Sequence, residues 1–463
     1  MFEIITIDTP SLGDRSYLVH DREVAFVIDP QRDIDRVLEA AESRGVRITH
    51  VFETHMHNDY VTGGLALANL TGASYHVNSA DPVGFPHNGL SDGDVVPVTP
   101  ELGVRAVATP GHTFTHMSYV LEAAGEPVGV FTGGSLLFGS TGRPDLLGPD
   151  HTDALARHQH ASAQRLATEL PESAAVLPTH GFGSFCSATQ SEGDSSTIGH
   201  EKLTNPVLQL GVDDFVDQLI DGLDAFPAYY AHMGPANHAG PDGPDLSPPA
   251  VADPVVLRRA IESGEWVVDL RSRTAFSAGH MRGSLNFGMD GSFATYLGWL
   301  IPWGTPVTLL GETVEQVAEA QRELVRIGID RPAAFSSGDP RSWSGGEDLA
   351  TYRRATFADL RDVDLEGIVV LDVRRRLEWG ESHLAGAVHI PLHELLERLH
   401  EVPAGEVWVH CQAGYRASVA ASILARSARA VVAVDDDYSN AADSGLDQVA
   451  AAAVPVSAAA AGR

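Results

Sequence analysis

Lysine is all but missing from this chain. Lys202 is the single one in 463 residues, and Lys and Arg together number 31 against 62 Asp and Glu. The resulting net charge of -31 repels phosphate backbones and anionic lipid surfaces, which argues against nucleic-acid and membrane partners. Cysteine is scarce too. Two thiols, Cys186 and Cys411, cannot build a disulfide framework, so each is either a packed apolar filler or a chemical tool. Long apolar runs are lacking as well: stretches such as GIVVLDV are far too short to span a bilayer. The start, MFEIITIDTP, has no basic segment followed by an apolar one, so no signal peptide is expected and the reading is cytoplasmic.

What is present is ordinary globular composition, 43% hydrophobic and 20% charged, over a length that suggests roughly two to four domains. The first part alternates short apolar strands with helical segments. FEIITID, SYLVHD and VAFVID read as strands, DIDRVLEAAESRG reads as an amphipathic helix closed by Gly45, and THVFET reads as a further strand. The Pro/Gly-rich run from Phe226 to Pro254 has no periodicity and reads as a linker whose aromatic start packs back on the first domain. Beyond it the chain repeats itself. VVDLRSRTAFSAGHMRGSLN and VLDVRRRLEWGESHLAGAVH match at Asp269 and Asp372, Arg271 and Arg374, His280 and His383, and Gly283 and Gly386. The expected boundaries are 1–245, 250–345, 353–452 and a tail at 453–463.

In VWVHCQAGYRASVAASILA, Cys411 follows a β-run and precedes a helix. Backbone N–H groups and a helix N-terminus aimed at the sulfur stabilise an anion and lower a thiol pKa, and Arg416 adds positive charge. Cysteine phosphatases place five residues between cysteine and arginine. Here there are four, a tighter loop. The loop, with LDVRRRLEWGESHLAGAVHIP upstream, resembles that of rhodaneses. The resemblance implies that Cys411 is a nucleophile that carries sulfane sulfur as a persulfide, with Gln412, Ala413, Gly414, Tyr415 and Arg416 as its cradle. In the first repeat TPVTLLGETVEQ offers Gly311 where the cysteine would stand, so that module is read as scaffold or interface.

A second constellation lies in THMHNDY. His55 and His57 alternate, Asp59 follows, and His112 and His180 sit in later Gly-rich loops after apolar strands. Imidazoles gathered from three such loops suit Zn or Fe. His116 is read as structural or exposed, and Cys186 as packed. The pattern over residues 1 to about 245 resembles the metallo-β-lactamase superfamily. Its closer match is to the persulfide dioxygenase branch, with glyoxalase II a cousin, and GRPDLLG (Arg143, Asp145) and STIGHEKLTNPVL resemble segments of that branch. The resemblance implies an α/β chain: an αββα sandwich followed by two rhodanese-like domains with parallel sheets. It also implies Fe(II) held by two histidines and an aspartate. The matching positions are His55, His112 and Gly134, and glycine offers no side-chain ligand. Tyr60 likewise replaces the histidine a second metal would use.

The expected metal set is therefore His55, His57 and His112, with Asp59 and His180 as weaker ligands or supports. One divalent metal per N-terminal domain is expected, Fe(II) by resemblance or Zn(II) by the ligands that remain. The implied function is persulfide oxidation coupled to sulfur transfer through Cys411. A zinc-dependent thioester hydrolase and a metal-poor persulfide-binding platform stay open. Expected partners are a low-molecular-weight thiol or persulfide and thiosulfate or another sulfane-sulfur donor, and the reading leaves room for a homo-oligomer.

Overall fold

A computed structural model describes residues 2–189, 193–364 and 366–450; the expected tail at 453–463 lies outside the described residues. The chain divides into two compact units. One runs to Asp245 and takes in Val325–Gly328; the other holds Leu246–Leu324 and the described residues from Ile329 onward.

The first unit is built on two six-stranded sheets. The first sheet runs in the order Glu3–Thr9, Asp14–His20, Val24–Ile28, Arg47–Phe52, Ser74–Asn78, Asn88–Leu90, antiparallel at first and parallel from Val24–Ile28 onward. The second sheet is ordered Ser196–Thr197, Ala175–Pro178, Glu126–Gly133, Met117–Ala123, Leu102–Ala108, Val95–Pro97. Inward residues of both sheets, among them Tyr17, Phe26, Phe52, Tyr119 and Phe131, form the central apolar layer. Outside the first sheet, helices Asp35–Arg44 and Gly64–Thr71 bury Val37, Ala41, Leu67 and Ala68; outside the second, Pro149–Glu169 and Val212–Asp221 bury Leu166, Phe215 and Val216. The layers are αββα, and one strand after another delivers its C-terminal loop to the same rim, where α/β folds place their chemistry.

Each strand and helix expected from the opening segments is present, and Gly45 closes its helix at φ +66°. The expected linker needs correction. Tyr230–Ala239 within it is helical, despite Pro235, because Tyr229, Tyr230, Met233 and Asn237 are buried and anchor the turn.

The second unit carries two parallel five-stranded sheets. Their central strands are Trp266–Asp269 beside Val307–Gly311, and Ile368–Asp372 beside Glu406–His410. The repeat is visible in atomic detail. Arg271 clamps Asp269 at 2.6 Å and the Gly279 carbonyl at 2.8 Å; Arg374 clamps Asp372 at 2.8 Å and the Ser382 carbonyl at 2.6 Å. His280 stacks on Phe276 and His383 on Trp379, at 3.8 and 3.5 Å between ring centroids. Buried ion pairs held by a second acceptor lock one loop geometry, so both modules open alike. Among the described residues, no helix is long and apolar enough to cross a membrane.

Candidate metal centre and cysteine loop

In the first unit, the loop after strand Arg47–Phe52 carries His55, His57 and Asp59, the loop after Leu102–Ala108 carries His112, and the loop after Ala175–Pro178 carries His180. All five are at most 1% exposed. The side-chain nitrogens that His55, His112 and His180 offer lie within 4.8 Å of one another, with 3.3 Å between His55 Nε2 and His180 Nε2. His112 Nδ1 is bonded to the Arg143 carbonyl at 2.8 Å, while its Nε2 is buried with no partner. A buried, unpaired imidazole nitrogen beside two others suits a divalent cation, which replaces the missing hydrogen bonds with coordination. His180 Nδ1 meets Asp14 at 2.9 Å and Asp59 at 3.2 Å, the carboxylate backing usual for a metal-bound histidine. Burial alone would lower His180, but Asp59 and Asp14 outweigh it and carry it up to about 10; burial and His180 bring His112 down to about 3.

The His57 ring has two different sides: its Nδ1 is buried with no partner, and His57 groups with Asp59 and His180 as candidate donors. Its Nε2 faces the other way, 2.9 Å from the Tyr60 hydroxyl, 3.3 Å from Glu53 and 3.4 Å from Asp29. Burial opposes its charge, yet the two carboxylates hold it protonated, raised to about 9. Asp29 also accepts from the Thr54 N–H at 2.7 Å and from the Thr54 and Thr179 hydroxyls, so it ties the loops of His55 and His180 together. Tyr60 closes this internal cluster rather than binding a second ion. Asp59 and His180, with His57, form a second grouping of candidate donors.

Gly134 has an ordinary backbone conformation; the left-handed glycine is its neighbour Gly133, at φ +51°. What fills the place of the missing carboxylate is His112 itself, since a Cβ on Gly134 would lie 2.4 Å from its ring. His116 is buried, takes a hydrogen bond from the Gly134 N–H at 3.0 Å and is structural. Cys186 is fully buried beside Asp59, and burial pushes its thiol well up. Asn237 was hidden from sequence reasoning by its Pro/Gly-rich surroundings. Its amide donates to the carbonyls of His57 at 2.8 Å and Tyr60 at 2.9 Å and fixes the loop.

In the second unit, Cys411 lies at the end of strand Glu406–His410, 2% exposed, with Gln412 and Ala413 exposed after it. Gly414, at φ +88°, turns the chain into helix Tyr415–Arg426, whose first N–H groups have no partner within the helix. Arg416 is not a bare charge: Glu378 grips it at 2.6 Å through both nitrogens. The repeat without a thiol also reaches this loop. Arg273 binds Asp435 at 2.6 Å next to Gly414, and it interacts electrostatically with Cys411. Tyr296 and Trp299 line a small cleft with Val373, Leu392, His393 and Arg416. The pairing of Asp269 with Leu310, matching that of Asp372 with His410, puts Gly311 at the position of Cys411. A Cβ there would come within 2.8 Å of Val317.

Comparison with known proteins agrees with this geometry. The metallo-beta-lactamase superfamily model matches residues 14–180, and the rhodanese-like domain model matches residues 358–443. A hydroxyacylglutathione hydrolase of Cereibacter sphaeroides is 30% identical over 233 residues, 45% of this chain and 88% of its own length. The human mitochondrial persulfide dioxygenase ETHE1 is 28% identical over 204 residues, 43% of this chain and 74% of its own. The chain spans about half the length of other hydroxyacylglutathione hydrolases it matches: 41%, 50% and 53% in three bacterial ones. A solved metallo-beta-lactamase from Staphylococcus aureus subsp. aureus COL is 28% identical with a TM-score of 0.65, covering 73% of this chain and 99% of its own.

Proposed function

Since the chain belongs to the metallo-beta-lactamase superfamily and carries a rhodanese-like domain, we propose that it is a sulfane-sulfur enzyme in which Cys411 transfers sulfur and the N-terminal unit acts on a persulfide. The observation that carries the reading is the Cys411 loop: a thiol at a strand end, just ahead of a helix whose first N–H groups have no partner within the helix, with the clamped Arg416 interacting with it electrostatically. The Cys411 thiolate attacks the outer sulfur of a persulfide or thiosulfate. A new S–S bond forms at Sγ while the donor's S–S bond breaks, and its electron pair leaves with the thiolate or sulfite. An acceptor thiolate or cyanide then takes the outer sulfur, and Cys411 regains its pair. Arg416 and the helix N–H groups balance negative charge in both steps.

In the N-terminal unit His55, His112 and His180 would hold the divalent metal, with Asp59 and Asp14 orienting His180. When bound, such a metal supplies Lewis acidity, or redox capacity if it is iron. The leading reading for this unit is persulfide oxidation. A donor set of three histidines without a carboxylate suits zinc at least as well as iron, which favours thioester hydrolysis as the second reading. Oxygen uptake with glutathione persulfide separates the two from each other, with hydrolysis of a glutathione thioester as the opposing result. Loss of thiosulfate:cyanide transfer in Cys411→Ser tests the other half; transfer at the unaltered rate would refute the role of Cys411.

A further inference from the structure

A group of arginines without carboxylate partners among the described residues lines a cleft that shares no residue with either site. Within the second unit, a cleft of about 640 Å³ is lined by the loop His280–Ser284, the stretch Ala350–Arg353, the end of helix Tyr415–Arg426 and the strand Val431–Val434. Four arginines border it, Arg282, Arg353, Arg426 and Arg429, in a chain with twice as many acidic as basic side chains. Arginines elsewhere are repeatedly tied to carboxylates, as Arg273, Arg374, Arg398 and Arg416 are. Among the described residues, none of these four is in an ion pair. Arg426 donates to the Glu265 carbonyl at 3.3 Å, Arg429 to the Val402 and Pro403 carbonyls, and Arg353 lies 4.8 Å over the Trp408 ring.

Backbone carbonyls and a ring face position a guanidinium without neutralising it, and they leave forked N–H pairs free for a planar or tetrahedral oxyanion. Opposing charge is modest. Glu406 stands at the rim with one oxygen bonded to Trp408 Nε1 at 2.9 Å, and exposed Asp359 senses Arg353. The negative end of helix Tyr415–Arg426 also faces the cleft, and Arg426 in its last turn offsets it. That leaves Arg282 and Arg353, both exposed, as the free forks. The wall between them is low, made of Gly283, Ala350, Ala425, Ala428 and Ala430. The volume falls in the range of pockets for nucleotide-sized molecules.

We propose that this cleft binds a soluble, phosphate-bearing small molecule of nucleotide size, gripped by Arg282, Arg353 and Arg426. Its lining shares no residue with the Cys411 loop or the histidine cluster, so the proposal does not depend on what those two catalyse. The test is calorimetry on the full chain at physiological salt, with ADP, inorganic pyrophosphate and adenosine as probes. It is repeated on Arg282→Ala/Arg353→Ala, which removes two exposed side chains outside the catalytic loop. The expected result is saturable binding of ADP and pyrophosphate but not adenosine. The variant should weaken both anions about tenfold or more, the scale of losing charged hydrogen bonds, with thiosulfate:cyanide transfer unchanged. Pyrophosphate alone binding also supports the phosphate grip. Absence of binding by both anions in the unaltered chain, or equal affinity in the variant, would overturn the proposal; equal affinity would place the anion elsewhere, for instance on a metal.

Discussion

Replacing Glu378 by glutamine isolates the clamp that orients Arg416. Glu378 and Arg416 meet through two contacts of 2.6 Å, with side chains 19% and 11% exposed. Burial by itself would raise the carboxyl. The hydrogen bonds and charge of Arg416 outweigh it and bring Glu378 from 4.5 down to about 2. That fall corresponds to roughly 3 kcal/mol of folding free energy at neutral pH. Because the folded value lies below the unfolded one, this stability is complete above about pH 4.5 and is lost as pH falls through about 2. Glutamine has nearly the shape of a protonated glutamic acid, so the variant mimics the acid state at every pH. All six tryptophans lie at Trp266 or beyond, and their fluorescence therefore follows the second unit in urea. The unaltered chain should exceed Glu378→Gln by about 2–3 kcal/mol at pH 7, and by about half of that at pH 3. A difference that does not change with pH, or one below about 0.5 kcal/mol as for an exposed pair, would refute the clamp.

Three further outcomes follow from the geometry. Gly311→Cys in a Cys411→Ser background should not restore sulfur transfer, because its Cβ would press on Val317 at 2.8 Å; regained thiocyanate formation would contradict this. Gly134→Asp must displace the His112 ring from 2.4 Å, so metal content measured on the purified protein should fall rather than rise. His57→Ala leaves Asp29 and Glu53 facing each other without their cation. It should cost about 3–5 kcal/mol of stability, as breaking a buried pair does, whereas His112→Ala should chiefly lower bound metal. Thermal melts and metal analysis of the two variants separate these effects.

Much of this was legible in the chain. Strands of period two ending in His- or Gly-rich loops place the donors at one rim, and the four-residue interval from Cys411 to Arg416 sets the width of the cradle. What stayed hidden depends on partners distant in sequence. Alternation puts His55 and His57 side by side, but only folding brings Asp29 to His57 and leaves His180 to complete the cluster. The Glu378 clamp shows as a charge near the loop, not as a bidentate pair. Helix Tyr230–Ala239 was masked by proline and glycine, although its Asn237 holds the loop of His57. Arg273, Tyr296 and Trp299 sit in a repeat that lacks the thiol, and no motif there announces a role beside Cys411.

The central claim is that Cys411 carries sulfane sulfur, and intact-protein mass spectrometry with peptide mapping tests it most directly. After incubation with thiosulfate or glutathione persulfide, the account predicts an added mass of one sulfur atom on the peptide containing Cys411. The addition should be absent from Cys186, which is fully buried, and should be removed by cyanide with matching release of thiocyanate. An unmodified Cys411 under these conditions, or the added sulfur found on Cys186 instead, would contradict the account.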